Sequence, residues 1–523
     1  MLRRSLILLA VASLPLALLT VDDGPSDAES GAAARLAGSF AGRVPGTTAE
    51  ETARAADLVS RMTLAEAAGQ VIVAGYTGTG SPAELVGRLH LGGVLPVGAN
   101  ITSAAQIRRI NESVRRTVSQ RGYPAFVGVD QEGGRVARVG APATSFPAFL
   151  ATGAARRPDL TEQAAAANAG EMAALGFTAV MGPVADVTRG PSDPVIGSRS
   201  AGDRPAEVAT QVVAADRGMR AGGMLGALKH FPGHGSLTSD SHFALPVQRK
   251  SRAQLMATDL VPFRAAIDAG ASVVMTGHID VRSIDPGVPA SMSYKVTTGL
   301  LREQLGFDGL VVTDGLGMVG VSRRYPSAIV GARALLAGAD VVLMPPDPAA
   351  ARAGIVRAVR GGSLSRARLD EAAIRMIALL LHEKPLLRAK ALGSGGPAAA
   401  RLSAAALTSV SGPCRGRLVG RAVRVFGPDR AVSAFRRAAS AEGLRVARKG
   451  DLVALTSDSP ARARVVVALD RPDLLARSRA RIRLAAYGES AGAMRAVVRH
   501  LLGRAPAPGR LPVRVGGLPR TGC

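Results

Sequence analysis

The sequence predicts an α/β chain in which a (β/α)8 TIM-type barrel is followed by a small α/β C-terminal domain, and three observations carry that prediction. Between residues 50 and 387, eight short apolar runs alternate with longer amphipathic stretches. The runs are continuously apolar, as strands of a parallel sheet covered on both faces must be. Ionisable residues stand at or just after the ends of several runs, at Asp130, Asp186, Lys229–His230, His278 and Asp314. In a closed barrel the C-terminal strand ends meet at one face, where active sites form. Roughly eight units in about 340 residues fit that barrel better than an open doubly wound sheet.

Taken in order, Met1–Thr20 opens with Arg3 and Arg4, and 17 residues without a charge separate Arg4 from Asp22. That length is long for the apolar part of an export signal and short for a membrane helix, so residues 1–30 read as either a signal peptide or an uncleaved N-terminal anchor. Residues 31–49 read as a linker. The barrel runs follow as QVIVAGY (70–76), GGVLPVG (92–98), PAFVGVD (124–130), FTAVMGPVADV (177–187), MLGALKHF (224–231), ASVVMTGHI (271–279), DGLVVTD (308–314) and ADVVLMP (339–345). Helices are expected between several of them, over 204–220 and 252–269 for example. RAKALGSGGPAAA (388–400) reads as a linker from its Gly and Ala content. Beyond it, AVRVFGPD, DLVALTSD, ARVVVALD and RIRLAAYG predict strands, and AVSAFRRAASAEG and AGAMRAVVRHLLG predict helices, making a small basic domain of residues 401–523.

Composition sets bounds on function. Hydrophobic content of 47% excludes a disordered chain, and with 3% aromatics and no Trp the cores must be aliphatic. The net charge is +25, and residues 397–523 hold 24 Lys/Arg against 7 Asp/Glu. Such a surface can attract nucleic acid, anionic lipid or acidic wall polymer; without base-stacking aromatics or a DNA-binding motif, an anionic cell envelope, with its possible anionic cell-wall polymer, or a plain compositional bias fits better than nucleic acid. Cys414 and Cys523 are the only cysteines, and an even count in an exported chain predicts a disulfide between them.

The densest chemistry lies in LKHFPGHGSLTSDSH (228–242), which holds three of the seven histidines. Pro232, Gly233 and Gly235 break helix and central strand alike, so Lys229, His230, His234, Asp240 and His242 stand on a loop at the end of a buried strand. His230, His234 and His242 could by type be zinc ligands, although there is no H-E-x-x-H helix and no Cys in this portion. Asp314 at the end of its run could be a nucleophile, a metal ligand or a helix cap. VDQEGGRVARV (129–139) carries Asp130, Glu132, Arg135 and Arg138, either a surface salt-bridge cluster or a site that grips sugar hydroxyls. DPVIGSRSAGD (193–203) adds Arg199 on a Gly-flanked loop.

Together MTLAEAAGQ (62–70), VDQEGGRVARV, PVADV (183–187), DPVIGSRS (193–200), KHFPGHGSLTSDSH (229–242), PASMS (289–293) and LLREQLGFDGLVVTDGLGM (300–318) resemble glycoside hydrolase family 3 in order and spacing, in its β-N-acetylglucosaminidase branch. The likeness runs from about residue 50 to 350, and the tail 487–513 resembles the shortened C-terminal domain of two-domain members. It implies a retaining enzyme acting on terminal β-linked N-acetylglucosamine, without metal or organic cofactor. Asp314 is then the nucleophile, and His242 supported by Asp240 is the proton donor. Asp130, Arg138, Arg199, Lys229 and His230 would bind the sugar, with Lys229 and Arg199 also keeping Asp314 ionised. The chain departs from the family at Ser236–Leu237, where Asp-Thr is usual, and at Gly315, often a second Asp. A β-glucosidase-like specificity, phosphorolysis, and a catalytically silent wall-binding protein are the competing readings.

Overall fold

The computed structural model describes residues 44–383 and 388–521. The leader expected at residues 1–30 and Cys523 lie outside the described residues. Among the described residues no helix is long and apolar enough to cross a membrane.

Each of the eight apolar runs supplies one strand: β1 (Ile72–Ala74), β2 (Gly93–Val94), β3 (Phe126–Val129), β4 (Ala179–Val180), β5 (Leu225–Phe231), β6 (Val273–Thr276), β7 (Leu310–Thr313) and β8 (Val342–Leu343). They pair in parallel in the order β7-β6-β5-β4-β3-β2-β1-β8. A parallel bridge from Val312 to Val341 joins the two ends of that row, so the sheet is a nearly closed barrel. Alternation along each strand sorts the side chains. Val73, Phe126, Leu225, Val273 and Leu310 fill the interior, whereas Ile72, Val127, Val274 and Val311 pack outward against the helices.

The helix expected over 204–220 is α1 (Pro205–Ala221). The one expected over 252–269 is instead two, α2 (Arg252–Ala257) and α3 (Val261–Asp268). Between them Asp259 is fully buried, and its carboxylate receives the Lys250 ammonium, the Ser236 hydroxyl at 2.9 Å and the Thr258 hydroxyl at 2.6 Å. Turning that carboxylate inward breaks the helix, and Pro262, which has no N–H to lose, starts the next one.

Residues 388–400 are not the free linker that their composition predicts. The Lys390 N–H donates to Gly170 O, the Gly395 N–H donates to Glu171 Oε1 at 2.8 Å, and α4 (Gly396–Ala406) begins within the segment. A six-stranded sheet follows, built from β9 (Thr408–Ser411), β10 (Ala422–Phe426), β11 (Arg445–Val446), β12 (Asp451–Thr456), β13 (Val465–Ala468) and β14 (Ile482–Ala485) in the order β9-β14-β13-β12-β10-β11. All its pairs are parallel except β9 with β14. The two predicted helices are α5 (Asp429–Ala441) and α6 (Ala491–Leu501).

This second unit is seated on the barrel loops that carry candidate site residues. The Ala148 N–H donates to Tyr487 O, the Arg471 guanidinium donates to Asp193 O at 3.0 Å, and Arg520 pairs with Asp203 at 2.9 Å. Leu150, Ala151 and Ala154 share an apolar cluster with Val466, Ala468 and Tyr487. Asp193 and Asp203 bracket the loop bearing Arg199, so the second unit braces it from outside. Cys414 is disulfide-bonded.

Candidate active site

Strand β5 is buried along all seven residues, and its last turn of sequence delivers Lys229 and His230 to the C-terminal face of the barrel. A bridge from Lys229 to Val184, with the Ala185 N–H donating to Lys229 O at 2.7 Å, fixes the backbone there. The loop that follows depends on two glycines. Gly233 sits at φ +122, where a Cβ would come 2.6 Å from Cβ of Asp259, and a Cβ on Gly235 would come 2.4 Å from Val187 O. The loop is thereby pressed against the segment carrying Asp186.

Lys229 Nζ lies 2.7 Å from Asp130 Oδ1 and 2.7 Å from Glu132 Oε1. Glu132 in turn accepts two bonds from Arg199, Nε to Oε2 at 2.9 Å and Nη2 to Oε1 at 2.8 Å. Burial works against the charges of Glu132, Arg199 and Lys229, and their mutual attraction outweighs it. Glu132 is held well below the ordinary carboxylate range by Arg199 and Lys229, and Lys229 is held above the ordinary lysine value by Asp130 and Glu132. The bidentate geometry fixes the guanidinium plane at the rim of the site.

Asp314 follows β7 directly and is 9% exposed. Its Oδ1 accepts the Gly315 N–H at 2.8 Å. Burial raises its pKa, but the cationic forms of His230 and His278, the Gly315 N–H and the Lys229 ammonium prevail and hold the carboxyl below its ordinary value. Arg199, expected to share that task, is turned instead to Glu132. His230 is anchored through Nδ1, 2.7 Å from Asp186 Oδ2, which makes Nδ1 the protonated nitrogen and leaves Nε2 for the site. His278 is fixed at both ring nitrogens, Nδ1 2.8 Å from Ser291 Oγ and Nε2 donating to Gly315 O at 3.0 Å, and burial lowers its pKa.

The other side of the site is the loop through His242. His242 Nδ1 is 2.7 Å from Asp240 Oδ1, and the His242 N–H donates to the same oxygen at 2.9 Å. The imidazole is 60% exposed, unlike the buried His230. Burial raises the Asp240 pKa, but the two bonds from His242 and its charge lower it further, so the carboxyl stays below its ordinary value. The Gly320 N–H donates to Ser241 O at 3.1 Å, and the Ser241 hydroxyl meets Met318 Sδ at 3.7 Å. These contacts tie the His242 loop to the segment that begins at Asp314.

Of the sequence-predicted residues, Asp130, Arg199, Lys229, His230 and Asp314 share the strand-end face, and Asp240 with His242 flanks it. Arg138 is exposed on the hairpin after β3, and its guanidinium has no hydrogen-bond partner among the described residues. His234 is buried, with no hydrogen-bond partner for either ring nitrogen among the described residues and its ring edge-on to His230 at 5.8 Å. No three His, Cys, Asp or Glu side chains converge as a metal site among the described residues. At the positions that depart from the family, Ser236 supports Asp259 and accepts from Gln248 Nε2 at 2.8 Å, Leu237 is buried in the core, and a Cβ on Gly315 would meet only Met318 at 3.7 Å or more.

The sequence places Glu132, Asp186 and His278 at or beside strand ends without giving any of them a role, and the structure supplies one for each as partner of Lys229 and Arg199, of His230, and of Gly315 O. Glu132→Gln should cost about 3–5 kcal/mol of stability at neutral pH, because two buried cations are left to share Asp130. Its carboxyl pKa is depressed in the fold, so this contribution is present above the ordinary value of 4.5 and is lost as pH falls through the folded value. Thermal unfolding at pH 7 and in acid checks it; a variant that melts with the wild type at pH 7 contradicts the anchoring role.

The model described as "Glycosyl hydrolase family 3 N terminal domain" matches residues 27–379. Beta-hexosaminidase LpqI of Mycobacterium tuberculosis is 33% identical over 386 residues, 71% of this chain and 96% of that protein. Beta-hexosaminidase A of Pseudoalteromonas piscicida is 35% identical over 280 residues, 50% of this chain and 47% of that one, so the chain spans about half the length of that relative. Among solved structures, a glycoside hydrolase family 3 beta-N-acetylglucosaminidase from Paenibacillus sp. str. FPU-7 superposes with a TM-score of 0.78 at 27% identity, covering 87% of this chain and 99% of that one.

Proposed function

The chain belongs to glycoside hydrolase family 3, and from that membership we propose that it is a retaining exo-β-N-acetylglucosaminidase releasing terminal β-linked N-acetylglucosamine from muropeptide or chitin-type saccharides. One observation carries the reading: a buried carboxylate held ionised, Asp314, faces the same end of the barrel as a solvent-accessible histidine backed by a carboxylate, His242 with Asp240. In the first step an Asp314 oxygen attacks the anomeric carbon while protonated His242 Nε2 gives its proton to the departing glycosidic oxygen. In the second, neutral Nε2 takes a proton from water, which attacks the anomeric carbon and releases Asp314. Asp240 stabilises the imidazolium and fixes Nδ1 as its partner nitrogen, so Nε2 is the reacting one. Asp130, Lys229, Arg199 and His230 hold the sugar by its hydroxyls, and Arg138 reaches it from the hairpin rim. The basic, apolar start of the chain supports export to the cell envelope or beyond.

Rates on paired 4-nitrophenyl glycosides test the specificity. The β-N-acetylglucosaminide should be cleaved faster than the β-glucoside, and added inorganic phosphate should leave free N-acetylglucosamine as the product. Faster cleavage of the glucoside, or formation of a sugar 1-phosphate, supports the competing readings; no turnover of either supports a silent sugar-binding protein.

A further inference from the structure

Four arginines of the C-terminal unit gather around one concavity. A groove of about 900 Å³ runs between the edge strand β11 and helix α5, and its lining includes Arg424, Arg436, Arg445 and Arg448 with Ser440. All four arginines are exposed, and none of their guanidinium groups makes an ion pair or hydrogen bond among the described residues. Two carboxylates near them in sequence are engaged by other groups. Glu442 is held by Arg495 at 2.7 Å and by Arg499 and Arg504, and Asp451 accepts the Gly420 N–H and pairs with Arg464 at 3.5 Å.

Four uncompensated guanidinium groups around one concavity focus a positive potential into it. Each presents a planar pair of donors that fits a phosphate or carboxylate oxygen pair. We propose that this groove is a binding site for a linear, base-free phosphate polymer, which lies along β11 and is gripped by Arg424, Arg436, Arg445 and Arg448. The lining holds no aromatic side chain, so it offers no platform on which nucleic-acid bases could stack. The groove belongs to the second sheet, whereas the candidate active site belongs to the barrel. Tethering to a polymer would therefore leave the sugar pocket free, and the inference does not depend on which glycoside is cleaved.

The test uses the full chain and fluorescence anisotropy with labelled linear polyphosphate, against a single-stranded DNA oligomer of equal charge. Changing Arg424, Arg436, Arg445 and Arg448 together to Gln should raise the polyphosphate Kd at least about tenfold, and should make the slope of log K on log salt shallower by about 3 for four lost contacts. A control with Arg88, Arg108, Arg109 and Arg264 changed to Gln removes the same charge elsewhere and should change Kd less than about threefold. Hydrolysis of a small glycoside and the melting curve should match the wild type in both; if the groove variant melts early, the pair Arg436→Glu and Arg448→Glu carries the same comparison. Equal weakening in groove and control variants overturns the site, since overall charge then explains binding. Tighter binding of DNA than of polyphosphate overturns the assignment to a base-free polymer.

Discussion

Replacing Asp314 by Asn is expected to lower kcat/KM on β-N-acetylglucosaminides by a factor on the order of 10⁴ or more, about 5.5 kcal/mol or more of transition-state stabilisation. The size follows from the role. An amide cannot form the glycosyl ester, and the neighbouring carboxylates are engaged elsewhere, Asp130 and Glu132 by Lys229 and Arg199, Asp186 by His230 and Asp240 by His242. Asn keeps an oxygen for the Gly315 N–H and adds no bulk, so the fold should survive. The loss should be the same for good and poor leaving groups. A drop of less than tenfold in folded protein contradicts nucleophilic attack by this residue.

His242→Ala is expected to act unequally. A natural sugar leaving group needs a proton and should lose a factor of about 10²–10⁴, whereas a nitrophenolate needs almost none and should lose far less. The side chain is 60% exposed, so stability should be unchanged. Asp240→Asn should fall between wild type and His242→Ala, since it keeps the imidazole and weakens its support. The pH profile should carry the same signature. Asp240 and Asp314 both have carboxyl pKa values below the ordinary 3.8, so the stabilisation each contributes is present above that value and is lost as pH falls through the depressed one. Neither carboxyl should therefore limit activity in mild acid. Equal losses on both leaving groups would make His242 a binding residue.

What could be read in the sequence was local. Continuous apolar runs placed all eight barrel strands, and breaks such as Pro232–Gly233 placed the loop beyond β5. Asp240 and His242 stand two residues apart in that loop, and their pairing, which the resemblance to the family implied, is present at 2.7 Å. Partners far apart in sequence were not legible. Glu132 meets Arg199 across 67 residues and Asp186 meets His230 across 44, because closure of the barrel, and no local pattern, brings those strand ends together. The same reason hides the break at Asp259, where a buried carboxylate overrides helical periodicity, and the helix inside residues 388–400, where packing on the barrel overrides Gly-rich composition. His278 gave a weaker signal, a lone histidine after an apolar run, and only its contact with Gly315 O connects it with Asp314.

The most direct test of a covalent, Asp314-centred mechanism is to trap the intermediate in the wild-type protein. Incubation with a slow 5-fluoro N-acetylglucosaminyl donor, digestion and mass spectrometry should find one sugar adduct, on the peptide LVVTDGLGM (310–318), with fragmentation placing it on Asp314. An adduct on another residue, or product of inverted configuration with no adduct under turnover, would contradict the account.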